Sequence, residues 1–415
     1  MLRGVVTGLA MAIAALPGGS NFDWYRVDRP GPGVCIREPY GVIPNFDAPA
    51  ARAQIESELA QMAAAGQRRL RIGIFHGRGL DTGTIMDSAG GDLSPRNRGN
   101  LAALLHAVKA AGFSGIEVAF HPQAPSLDAW THWDESRFQE NWQVIRHLRP
   151  IIRAAGLPYR IDLSNEAIPG PGQPLLLEYT RRLWRLYTRA FGRDDTVGFS
   201  VIGDPARIRR IPEVYGGRPP YTFDLHFYGD ERALFTAADG TARQLGLKQP
   251  WIVGEAFYDD ATAAQQLHDA IAGTHRRVYH LTQWPLMRGS DCADVDVTAP
   301  VAFDAYAAQG FDPLPDAARA AHAVLVRRTL RVDRHGTVSI PIRCRDTTTR
   351  CYGTVALRGL HAWRFSAYAG QTASVRVRLP RRYRSAMHAT AALTVRSEDS
   401  TATTRRAVAI VLVRS

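Results

Sequence analysis

Lysine is almost missing from this 415-residue chain: Lys109 and Lys248 are the only two, so arginine supplies nearly all of the positive charge. Long apolar runs are missing as well. Outside the N-terminal segment, no stretch approaches the roughly 18 apolar residues of a membrane-spanning helix. A transmembrane segment is therefore not expected. The chain has no low-complexity tract, and its 45% hydrophobic content is that of a globular protein. It has no His-Glu-x-x-His and no His-x-His at the start of a first strand, so neither a resident metal nor a cofactor is expected. No aromatic-interleaved basic motif is present, which argues against nucleic acid as a partner.

What is present is unevenly placed. From Arg327 to the end there are 18 arginines against 4 acidic residues, whereas the rest of the chain has 33 basic and 35 acidic residues. The surplus points to an anionic surface polymer as a partner of the C-terminal part, or to a coding bias toward arginine. Residues 1–20 carry one early arginine, a short apolar core and Ala12-Ile-Ala14, the pattern of a signal peptide for secretion or delivery to the periplasm or cell surface. The competing reading is a buried N-terminal helix. Four cysteines agree with export: Cys344 and Cys351 flank a short polar loop between two apparent strands and suit a disulfide, whereas Cys35 and Cys292 pair less readily.

Strand and helix patterns alternate from residue 34 onward. Val34–Gly41 reads as a first strand, and Asp47 as the cap of a helix stopped by Gly66. Strands are then expected at 70–75, 115–120, 159–163, 197–201, 222–227, 251–254 and 278–283. Helices are expected from Ser94-Pro95, over 138–155 with Pro150 inside, over 175–191 and over 260–273, with a last one near 316–327. Eight such units predict an α/β fold, a (β/α)8 TIM barrel over residues 21–327. After Arg327 the period changes to two, as in Val338/Ile340/Ile342 and Val375/Val377/Leu379. This predicts a small all-β sandwich over 328–415, an accessory domain in which Trp363 and Tyr368 are better read as core than as sugar contacts.

The expected strand ends carry chemistry. Arg71 lies in the second strand, with Arg68 and Arg69 as competitors. His121 ends the third and Asn165-Glu166 the fourth. His226-Phe-Tyr228 ends the sixth, Glu255 the seventh, and Trp284 follows the eighth. Two carboxylates at strand ends of one barrel suit glycoside chemistry, in which one acid donates a proton and one carboxylate attacks the anomeric carbon. Trp130 and Trp133, after the third strand, are candidate sugar-stacking platforms, and His76 reads more readily as a core histidine. In this order the set resembles glycoside hydrolase family 5 of clan A. That resemblance implies Glu166 as general acid/base and Glu255 as nucleophile of a retaining hydrolase of β-linked poly- or oligosaccharides. It also implies that Arg71, His121, Asn165, His226, Tyr228 and Trp284 contact substrate. The alternatives are a non-catalytic carbohydrate-binding surface protein and a metal-dependent barrel hydrolase.

Overall fold

The computed structural model describes residues 16–26, 38–123, 127, 130–290, 297, 299–311, 322–345, 350–368, 371–380, 387–397 and 403–414. The chain divides into two units, Met1–Pro313 and Leu314–Ser415.

In the first unit eight parallel strands form a ring. They are β1 (Gly18–Asn21), β2 (Arg69–Gly77), β3 (Gly115–Pro122), β4 (Tyr159–Asp162), β5 in two pieces (Thr196–Gly198 and Val201–Ile202), β6 (Phe223–His226), β7 (Trp251–Glu255) and β8 (Val278–Gln283). β1 pairs with both β8 and β2. The first piece of β5 pairs with β4 and the second with β6, so the ring closes through a strand interrupted at Phe199–Ser200.

The first strand is a correction. Of Val34–Gly41, residues 34–37 lie outside the described residues, and 38–41 form no strand beyond a single bridge at Gly41. Gly18–Asn21 takes the place instead, so a boundary at residue 20 would cut through the barrel. A Gly-Gly-Ser-Asn strand offers no apolar alternation to read. Its glycines are required by crowding, because a Cβ on Gly19 would stand 1.7 Å from the Arg69 carbonyl oxygen.

Helices α1 (Pro49–Ala64), α2 (Pro95–Ala110), α3 (Glu135–Ala154) and α4 (Pro174–Phe191) cover the first half of the ring. Two single turns, α5 (Pro205–Ile208) and α6 (Ile211–Tyr215), follow β5, and α7 (Glu231–Gln244) and α8 (Ala261–Thr274) complete the cover. Ser94 caps α2 by accepting from the Asn97 amide, whereas Asp47 caps nothing. Asp47 instead accepts from Arg96 and Asn100 of α2 and ties the two helices together. The expected closing helix is absent at 322–325, which is a strand, and residues 312–321 lie outside the described residues.

The interior is what sets this barrel apart. Such interiors are ordinarily packed with branched apolar side chains. Here Arg69, Arg71, Glu117, Arg160, Asp162, Asp224, His226 and Glu255 are all buried on the strands. Leu70, Ile72 and Ile74 alternate with these charges in β2 and, pointing the other way, join the apolar core.

The second unit is one eight-stranded sheet running from His322 to Arg414. Its inward side chains, among them Val338, Ile340, Ile342, Val355, Val377, Leu393 and Leu412, pack into a single core, as the period of two requires. Cys344 and Cys351 are joined by a disulfide, while Cys35 and Cys292 lie outside the described residues. Trp363 packs partly against the core, and Tyr368 ends its strand.

Candidate active site

Arg71 settles its competition with Arg68 and Arg69 by where it points. Its Nη1 donates to Glu255 Oε1 at 2.8 Å and to Asn21 Oδ1 at 2.9 Å. Its Nη2 donates to Asn165 Oδ1 at 2.6 Å and to Asp162 Oδ2 at 3.1 Å, and its Nε to Glu117 Oε1 at 3.2 Å. Arg68 is spent on the carbonyls of Ala63 and Gln67. Arg69 lies beside Gly115, where any Cβ would meet its guanidinium.

Glu255 closes β7 with both oxygens occupied: Arg71 holds Oε1, and the Tyr228 hydroxyl donates to Oε2 at 2.8 Å. Glu166 stands on the turn after β4 with φ at 51°, a left-handed backbone that costs a non-glycine residue about 1 kcal/mol or more. The turn is braced. The Glu166 amide donates to Ser200 Oγ at 2.7 Å, in the gap that interrupts β5, and Arg207 Nη1 donates to the Ile168 carbonyl at 2.7 Å. The Glu166 side chain is 31% exposed and that of Glu255 only 8%, so one acid lies at the rim and the other at the floor.

His226 lies between them. Its Nδ1 is 2.8 Å from Glu166 Oε1 and 3.5 Å from Glu255 Oε2, while Nε2 is 3.3 Å from Asp224 Oδ2. An oxygen of Glu166 and one of Glu255 come within 4.8 Å of each other. Burial disfavours a charged imidazole, yet Glu255, Asp224 and Glu166 together lift His226 well above its ordinary pKa. Burial also acts on Glu166, but the hydrogen bond and charge of His226, then Arg71 and Arg207, hold it below the usual carboxylate range. For Glu255 burial prevails over His226 and Arg71 and raises it. Asp224 is pulled down to about 2 because His226 and Arg71 outweigh its burial. Glu117, buried beside Asp224, is pushed well up and carries the proton that this neighbouring pair needs. Gly254 leaves room for Asp224, since a Cβ there would stand 2.2 Å from the carboxylate.

Among the described residues two trios bring ligand-type atoms close enough to hold a cation: Glu166/His226/Glu255 and Glu117/Asp162/Asp224. In each, the positive charge is already supplied from within the chain, by the His226 imidazolium and the Arg71 guanidinium.

The remaining expected residues divide. Trp284 joins Trp24 and Phe75 in an apolar floor next to Tyr228, and it bonds the buried Asp23. His121 packs against Phe75 at 4.4 Å between ring centres with its Nε2 unpartnered. His76 hydrogen-bonds Ser88 and takes no part in the cluster. Trp130 and Trp133 lie half-buried away from the two glutamates' hydrogen-bond network. Trp130 meets Trp133 and Tyr179, while Trp133 packs on Phe138, lies under Arg182 and donates to Glu135. Both rings are partly buried against these neighbours and keep part of their surface exposed. Reading the sequence missed Asn21, Glu117, Asp162, Ser200, Arg207 and Asp224. Charges alternating with apolar residues within β2, β3, β4 and β6 were the available signal.

No protein-family model matches the chain, and no curated protein matches it by sequence. Among solved structures it is similar to the endo-β-1,4-mannanase of Thermotoga petrophila, at 11% identity over 98% of this chain and 99% of that one, with a TM-score of 0.41. The β-mannanase of the blue mussel Mytilus edulis is 13% identical over 73% of this chain and 93% of that one, with a TM-score of 0.46. A hyperthermophilic endocellulase of the archaeon Pyrococcus horikoshii is 11% identical over 62% and 86%, with a TM-score of 0.41. At these values the likeness is one of chain path, and the chemical reading rests on the site itself.

Proposed function

We propose that the protein is a retaining glycoside hydrolase acting on β-linked sugars, with Glu255 as nucleophile and Glu166 as acid/base. The observation that carries this reading is the pair itself: two glutamates at the ends of β4 and β7 whose oxygens approach within 4.8 Å. Retaining enzymes hold their carboxyl groups about 5–5.5 Å apart, whereas inverting ones need about 6.5–9.5 Å to admit water. Glu255, gripped by Arg71 and Tyr228, presents a fixed carboxylate to an anomeric carbon.

Glu166 must be protonated to serve the leaving oxygen, and in the open site the proton rests on His226. Seating a sugar excludes water, which favours a neutral pair over an ion pair. The Nδ1 proton then passes to Glu166 Oε1 along the 2.8 Å contact. Glu166 delivers it to the glycosidic oxygen as Glu255 attacks and the carbon–oxygen bond breaks. In the second half Glu166, now ionised, takes a proton from water, whose oxygen displaces Glu255. Asn165, its Oδ1 held by Arg71, has its amide donor left for a sugar hydroxyl. His121, Tyr228 and Trp284 complete the sugar's surroundings.

The action is assigned outside the cytoplasm, where a disulfide such as Cys344–Cys351 persists. No helix among the described residues is long and apolar enough to cross a membrane. The second unit is assigned an accessory role beside the polymer substrate. Proton NMR of a β-aryl glycoside digest tests the reading: the β-anomer should appear first, and an initial α-anomer overturns retention.

A further inference from the structure

A cavity of about 230 Å³ opens beside Glu166. Its walls are His121, Pro122 and Gln123 at the end of β3, Leu127, the turn from Ser164 to Ala167, Leu176 of α4, and Arg207 of α5. Glu166 lines it and Glu255 does not. The proton donor of a glycosidase stands next to the departing oxygen, so a space that touches the donor and not the nucleophile receives the leaving group.

The lining has the mix that a sugar site uses, with apolar walls and a few convergent polar groups. Leu127 and Leu176 supply the apolar surface. His121 Nε2 is buried without a partner, and burial followed by the Arg71 charge keeps that ring neutral. The Gln123 amide makes only a 3.4 Å contact to the His121 carbonyl. Arg207 adds a charge that no carboxylate hydrogen-bonds among the described residues. Its Nη1 is held by the carbonyls of Ile168 at 2.7 Å and Glu166 at 3.3 Å, which fixes the guanidinium while leaving Nε and Nη2 unspent.

We propose that this cavity is a leaving-group subsite selective for an acidic sugar, with Arg207 pairing the carboxylate of a uronate. The proposal rests on the glycosidase reading and names the class of polymer it would cut: one with a uronic acid on the leaving side of the scissile bond. A planar fork with two free donors matches a carboxylate in a way a lone ammonium does not.

The test compares β-glucosides and β-mannosides of 4-hydroxybenzoate with those of 4-hydroxybenzamide, on the full chain and on Arg207→Gln. Gln keeps a donor for the Ile168 carbonyl. The ratio of kcat/KM for carboxylate over carboxamide should fall about tenfold in the variant, the size of one partly exposed charge-assisted pair. Comparing ratios cancels the intrinsic reactivity of the two phenols. A ratio unchanged within about twofold overturns the proposal, even if both rates drop, because Arg207 would then only brace the turn. Should the wild-type chain cleave no aryl glycoside, the hydrolase reading fails, and the subsite is judged by binding alone. Saturation-transfer NMR with the Glu255→Gln chain should then detect glucuronate in preference to glucose. Equal signals for the two sugars overturn the subsite as well.

Discussion

His226 Nδ1 lies 2.8 Å from Glu166 Oε1, with Asp224 0.5 Å further off on the opposite ring nitrogen at 3.3 Å. The imidazole is thus strung between Glu166 at the rim and the buried Asp224. It is charged because of both, and because of Glu255.

Removing the Asp224 charge therefore has a signed consequence. In Asp224→Asn the imidazolium loses an anion that stabilises it, so its pKa falls. The remaining charged neighbours are Glu166, Glu255, Asp162 and Arg71, with Glu117 protonated beside them. If the His226 proton supplies Glu166, activity on the alkaline side depends on that proton. The alkaline limb of kcat/KM should move to lower pH by about one unit, equivalent to about 1.4 kcal/mol. A limb that stays in place, measured on an aryl glycoside, disconnects His226 from the acid step.

The two glutamates are separable by chemistry. Glu166→Gln and Glu255→Gln should each lower turnover of an aryl β-glycoside by at least about a thousandfold while leaving circular dichroism unchanged. Azide should restore activity to Glu166→Ala as a β-glycosyl azide. Wild-type rates in both glutamine variants would remove the pair from the mechanism.

Arg71 carries the interior as well as the site. Arg71→Met would leave Asp162, Asp224 and Glu255 buried without the guanidinium they share, at a cost of about 3–5 kcal/mol. Urea unfolding followed by tryptophan fluorescence should show the midpoint falling to match. A midpoint within experimental error of wild type would mean that those carboxylates are neutral in the folded chain.

Much of this was readable beforehand, and the parts that were not share a cause. Strands such as Trp251–Glu255 announce themselves because one apolar run stops at a carboxylate, and Glu166 and Glu255 were placed that way. β1 hid because crowding against Arg69 and Phe303 selects glycine there, which erases the pattern a strand normally leaves. Glu117, Asp162 and Asp224 hid because a charge in every second position of a strand looks like a wet face. Only the closed ring turns that face inward around Arg71. Trp130 and Trp133 read as loop tryptophans in the sequence, and their packing partners Tyr179, Phe138 and Arg182 come from helices that no local pattern links to them.

Glycines give a paired experiment. Gly254→Ala would drive a methyl group into the buried Asp224 carboxylate and should cost about 1–3 kcal/mol together with most of the activity. Gly99→Ala, in α2 with open space around it, should instead gain about 0.5–1 kcal/mol and leave activity alone. Thermal melts of both variants check the contrast. Equal shifts of the same sign would contradict the crowding at Gly254.

The placement of β1 also makes Gly18–Asn21 part of the ring. A peptidase that severed the chain after Ala14 would release a leader and spare the ring. One acting at Ser20 would strip out the seam between β2 and β8, taking with it the Ser20 hydroxyl that Gln67 and Gln283 both engage. A cut at or beyond Gly18 would therefore open the ring between β2 and β8.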